Sequence, residues 1–149
     1  MSLTEKIAID LMAAMKARDK GVLEALRAAK TAFIMARSEK GADAVLTEDE
    51  EIKIIQKLVK QRKESADIYR EQKRADLYEK EEAEAAVLEK YLPAKMSDVE
   101  LTSALKAIIE RVGAKSPSDM GKVMGVATKE LAGKADGKEI SVKVKQLLA

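Results

Sequence analysis

"KYLPAKMSDVE", Lys90 to Glu100, divides the chain in two. Pro93 bars Leu92 from helical backbone geometry, so the helical run that leads up to it has to stop there. Four residues later, Ser97-Asp98-Val99-Glu100 has the form of a helix start, a small hydroxyl at the cap followed by acids in the first turn. One helix ends and another begins within this stretch. The 149 residues therefore fall into an N-terminal segment, 1–93, and a C-terminal segment, 94–149.

Upstream of the break, four helices are marked by their caps and by apolar residues three and four apart. Ser2-Leu3-Thr4-Glu5 is a capping box, and Leu3, Ile7, Leu11 and Met15 follow it, giving a first helix to about Ala17. Asp19-Lys20-Gly21-Val22 restarts a helix whose apolar face is read as Leu23, Leu26, Phe33 and Ile34, fading into the loop-like "SEKGADAV". Thr47-Glu48-Asp49-Glu50 is a second capping box. The helix it opens carries Ile52, Ile55, Leu58 and Val59, then turns highly charged through "KQRKESADIYREQKR", as expected of an exposed, salt-bridged helix with a narrow contact seam. A fourth helix, with Leu77, Ala83, Val87, Leu88 and Tyr91, ends at Leu92-Pro93.

Downstream, three shorter helices are expected. The first holds Leu101, Leu105, Ile108 and Val112 and closes on Gly113. Asp119 is read as the cap of the next, and Asp136-Gly137-Lys138-Glu139 starts the last, which buries Ile140, Val144, Leu147 and Leu148. The fold class is all-α: a helical unit of about four helices followed by a small three-helix domain. Composition agrees, because the apolar share of 46% rests on Ala, Leu, Ile, Val and Met, with Phe33, Tyr69, Tyr78 and Tyr91 as the aromatics. No stretch alternates at period two, and no internal repeat is evident.

The chain has neither cysteine nor histidine. That removes thiolate nucleophiles, thiolate metal sites, the commonest general base and most zinc ligand sets. No Gly-x-Ser-x-Gly and no phosphate loop ending in Gly-Lys-Ser/Thr occurs. The acidic run Glu48 to Glu51 falls in a first helical turn, where the helix dipole favours acids, and Glu79, Glu81, Glu82 and Glu84 interleave with Lys80 as a solvated face. No catalytic site, metal site or cofactor is expected. Nor does any segment have the length and uninterrupted apolarity of a signal or membrane span, so a soluble, cytoplasmic protein with no membrane partner is expected.

Net charge is +2, but it is unevenly spread. Residues 94–149 hold ten Lys/Arg against seven Asp/Glu, and within them the stretch "SPSDMGKVMGVATKELAGKADGKE" is rich in glycine. At 100 degrees per residue, Met120, Val123, Met124, Ala127 and Leu131 share the core side of its helix, while Gly121 and Gly125 lie together on the flank beside Lys122 and Lys129. Such bare backbone admits a close neighbour, either a packed helix or a phosphate-sugar chain. Gly133, Lys134, Gly137 and Lys138 then surround the next helix start, where free N–H groups bind anions. With Lys115, Lys122, Lys129 and Lys143 they would form a phosphate-facing patch that has no aromatic platform and so reads the shape of a folded RNA. A second basic run, Lys53, Lys57, Lys60, Arg62 and Lys63, is read as a solvated face paired with Glu64, Asp67 and Glu71 along the same helix.

"DMGKVMG" (119–125), then "GKADGK" (133–138) and a short Val/Leu helix resemble the GatB-type tail domain of the glutamine-dependent tRNA amidotransferase. With "AMKARDKGVLEALRAAKTAF", "KLVKQRKESADIY" and "KEEAEAAVLEKYLP" upstream, nearly the whole chain resembles the free-standing YqeY-like proteins. The resemblance implies an all-helical fold in two lobes and a tail that helps hold tRNA. Its motif falls on Gly121, Lys122, Gly125, Gly133, Lys134, Ala135 and Asp136. It also implies an aminoacyl-tRNA synthetase or an amidotransferase as a protein partner. The family label of carbon-nitrogen ligase with glutamine as amido-N-donor belongs to the assembled amidotransferase, whose ATP- and metal-binding portion has no counterpart here. A tRNA-associated accessory protein is the leading expectation, a helical protein-interaction module the alternative, and a ligase the least favoured.

Overall fold

The computed structural model describes every residue, Met1–Ala149. It contains helices and no strands: α1 (Leu3–Ala17), α2 (Lys20–Lys40), α3 (Glu48–Glu71), α4 (Ala75–Glu89), α5 (Asp98–Val112), α6 (Met120–Glu130) and α7 (Gly137–Leu148), with one 3-10 turn at Pro117–Asp119 leading into α6. The chain divides into two compact units, Met1–Leu92 and Pro93–Ala149, each with its own apolar core.

In the first unit, the Ser2 hydroxyl accepts the Glu5 N–H at 3.1 Å and the Glu5 carboxylate accepts the Ser2 N–H at 2.9 Å, which fixes where α1 starts. Ile7, Leu11 and Ala14 of α1 are buried with Leu26, Ala29 and Phe33 of α2. Met15 and Ile34, both expected in the core, are instead more than half exposed. Steps of four residues advance about 40 degrees past each full turn, so the row Leu3, Ile7, Leu11 has rotated off the core by Met15, and Ala14 takes the inward place. Ile34 lies a further 100 degrees round from the buried Phe33.

Thr47 repeats the capping box at α3, with Glu50 as its reciprocal partner. The next acid departs from expectation. Glu51 is only 2% exposed, and its carboxylate accepts both the backbone N–H and the hydroxyl of Thr4 at 2.6 Å. It therefore serves the free N–H groups at the start of α1, a neighbouring helix, rather than its own dipole alone.

α3 and α4 form the most extensive helix pair of the unit, and α2 packs against both. They are joined without glycine: Lys73 adopts φ 59, and Arg74 N–H reaches back to Tyr69 O at 2.9 Å. α4 stops at Glu89, just short of Tyr91-Leu92-Pro93. Tyr91 donates its hydroxyl to Asp10 Oδ2 at 2.6 Å, tying the end of the α4 segment to α1, with Lys6 above its ring. Burial and that hydrogen bond push the phenol's pKa above its ordinary value.

Glu84 is the exception on the mostly solvated face expected of the α4 acids. It is 6% exposed, with Arg62 Nε of α3 at 3.4 Å from Oε2. Burial first, and then a hydrogen bond with Glu24, raise its pKa, whereas Lys80 at 3.1 Å holds Glu24 low. Lys63 pairs with Glu89 of α4. Arg62 and Lys63 thus have ion-pair partners on the adjacent helix, while Lys53, Lys57 and Lys60 are exposed.

The second unit is closed around Leu105, Ile108, Val123, Ala127, Ile140 and Val144. The Ser97 hydroxyl accepts the Glu100 N–H at 3.1 Å, and α5 ends at Gly113 with φ 72. Asp119 precedes α6 but makes no side-chain cap bond to it. Its Oδ2 instead accepts the Lys115 N–H at 2.9 Å, so the carboxylate pins the turn that leads into the helix.

Candidate nucleic-acid interface

α6 presents two contrasting sides. Val123, Ala127 and the following Leu131 are buried, Met120 and Met124 partly so, and the side expected to face the core does. Gly121 and Gly125 are exposed, and a methyl group added to either would meet no neighbouring heavy atom within 4 Å. Neither has a positive φ. Packing inside the chain therefore does not require glycine at 121 or 125, although a glycine in a helix interior costs about 1 kcal/mol relative to alanine. Lys122 and Lys129 are exposed on the same helix, adjoining this bare strip by helical position.

The remaining expected site residues separate into three groups. Lys115 and Lys134 are exposed on the turns before and after α6. Lys134 is held by its backbone, whose carbonyl accepts the Met96 N–H at 2.8 Å, leaving the ammonium side chain in solvent. Gly133 is buried with φ 79, and Ala135 beside it is buried too. The glycine there serves a left-handed turn that an L side chain would strain.

Lys138 and Lys143 belong to a different surface. Lys143 is ion-paired with Asp98 of α5, and its side chain is only 22% exposed. Lys138 sits in the first turn of α7 with Asp136 and Glu139 as sequence neighbours. These residues, with Met96 and Val142, line a cleft of about 580 Å³ between the starts of α5 and α7. Its mixed charge is unlike a phosphate cradle, and Lys143 already has its partner. The expected patch thus contracts to the α6 side: Gly121, Lys122, Gly125 and Lys129, with Lys115 and Lys134 at its ends.

Local acids temper that field without cancelling it. Asp119, whose pKa is lowered first by the Lys115 N–H, also feels the Lys122 charge. Glu130 at the end of α6 is paired with Arg111 of α5. Sequence spacing alone does not disclose the Asp98–Lys143 and Arg111–Glu130 pairs, because their partners are brought together by the tertiary fold. Neither unit assembles three or more carboxylates in a metal-holding arrangement, and no helix is long and apolar enough to cross a membrane.

The model of the Yqey-like protein family matches residues 4–148. The chain belongs to that family. Membership spans both units, so the N-terminal helices are as much a part of the family's pattern as the glycine-bearing tail. Among curated relatives, the chain is similar to "Altered inheritance of mitochondria protein 41, mitochondrial" from Pyrenophora tritici-repentis (strain Pt-1C-BFP), at 29% identity over 147 residues, covering 96% of this chain and 79% of that protein.

Proposed function

We propose that the protein is a tRNA-associated accessory factor that grips the folded RNA backbone with the α6 side of its C-terminal unit. The observation that carries this reading is the open Gly121/Gly125 strip beside Lys122 and Lys129. Two helix-weakening glycines with no intrachain use make physical sense where an outside backbone comes close, and ammonium groups on the border suit phosphate. The likeness of residues 119–125 and 133–138 to the GatB-type tail of the tRNA amidotransferase supports the same partner. Binding in this way is non-catalytic, and it fits a helper to a synthetase or an amidotransferase in the cytoplasm. The mitochondrial setting in the relative's name is that protein's own.

The test compares the wild type with two full-length variants for binding to folded tRNA. Charge reversal at Lys122 and Lys134 together is expected to abolish binding, and Gly125→Leu to weaken it about tenfold or more, with circular dichroism unchanged. A specific rival shares the open strip: it would accept a partner protein's helix. That rival predicts indifference to lysine reversal, and tRNA binding that survives both changes would overturn the proposal.

A further inference from the structure

α1 (Leu3–Ala17) has an outer face that its own unit leaves uncovered. Ile7, Leu11 and Ala14 point into the core, and on the opposite side Ile9 and Met12 are 55% and 62% exposed. On the same outward face lie Glu5 in the first turn and Lys16 in the last, with Ala8 and Ala13 flanking the two large side chains. Taking 100 degrees per residue, Glu5, Ile9, Met12 and Lys16 fall within about 60 degrees of one another. A solvated helix face has no need of two large apolar residues at its centre.

The order of these residues identifies the occupant. If a second α1 is laid antiparallel so that residue i stands level with residue 21 − i, Ile9 meets Met12 and Glu5 meets Lys16, each pair occurring twice. Such reciprocity is what a two-fold interface demands, since the same patch must complement itself. The apolar pair fills the centre, the small Ala8 and Ala13 leave its two flanks unobstructed, and two ion pairs close the ends about 16 Å apart. Antiparallel alignment also sets each helix N-terminus beside the other copy's C-terminus, which favours the dipoles. Glu5 already takes the Ser2 N–H on Oε2, leaving Oε1 for the lysine of the second copy.

From this self-complementary register we infer that the protein forms a two-fold dimer through antiparallel packing of α1. A single pair of helices about 22 Å long makes an interface at the small end of specific complexes, so dissociation in the range of about 10 μM to 1 mM is expected. The inference is independent of RNA binding.

Sedimentation of the full chain across about 5 μM to 2 mM tests it. The wild type should pass from monomer to dimer. Ile9→Glu and Met12→Glu should each weaken association at least about tenfold without altering helix content. Glu5→Lys and Lys16→Glu should each dissociate when alone, yet pair with one another when mixed, because the mixture restores both ion pairs. The cysteine-free chain permits a register check: Ile9→Cys and Met12→Cys variants should cross-link to each other in preference to themselves. A monomer throughout the range, association untouched by Ile9→Glu, or preferential 9-to-9 cross-links would overturn the inference.

Discussion

Glu51 shows how far one side chain's neighbours decide its work. It lies in an acidic helix start, a place where carboxylates are routine, yet it is buried and bonded twice to Thr4 of another helix. Glu51→Ala should destabilise the first unit by about 1–3 kcal/mol, because it strands two part-buried donors of Thr4 that the carboxylate now satisfies; urea unfolding measures it. Gly121 and Gly133 make an opposite pair. Gly121→Ala, in the first turn of α6, meets open space in ordinary helical backbone, so it should raise stability by a few tenths of a kcal/mol, up to about 1, while weakening RNA binding. Gly133→Ala, in a buried left-handed turn, should lower stability by about 1 kcal/mol or more. A thermal melt of the two variants distinguishes a glycine kept for a partner from one kept for the fold.

Packing between elements brings Arg62, Glu84 and Glu24 together from α3, α4 and α2. Glu84 has a raised folded-state pKa, chiefly through burial, so the fold favours its neutral form. Below the unfolded carboxylate range it is neutral in both states and carries no penalty; as pH rises through the folded value, the favourable contribution is lost. Glu84→Gln, neutral at every pH, should therefore gain stability relative to wild type as pH climbs above the ordinary carboxylate range. Denaturant midpoints at a series of pH values check the sign. Helix boundaries are legible in sequence wherever a side chain makes them: Ser2, Thr47 and Ser97 cap, and Gly113 closes α5. They are less so where the backbone turns without a marker, as at Lys73, which takes a left-handed φ with no glycine. Met15 escapes the apolar pattern because four-residue steps drift round a helix, and Ile34 because it lies one residue, 100 degrees, beyond the buried Phe33. The pairing of Lys143 is hidden because Asp98 lies 45 positions away in the chain and only the fold brings it near.

On the scale of the whole molecule, two separate cores imply two folding units. Residues 93–149 hold their own buried set around Leu105, Val123 and Val144, with caps at both ends of α5. Expressed alone, this segment should be helical and melt cooperatively, though with modest stability for its size. The all-helical class and the family are both readable from pattern and motif. The candidate site is readable in outline, since Gly121, Gly125, Lys122 and Lys129 are exposed as the helical spacing requires, but its far edge is not. There the fold turns Gly133 inward, binds Lys143 to Asp98, and sets Lys138 among acids.

Whether the open, lysine-edged glycine strip holds folded RNA is decided by a salt titration of full-chain binding. Folded tRNA should bind more tightly than an unstructured RNA of equal length. With up to four phosphates engaged by Lys115, Lys122, Lys129 and Lys134, log affinity should fall against log salt with a slope of about −3 to −3.5. Absence of binding at low salt, or equal affinity for the two RNAs, would rule out that role for the strip.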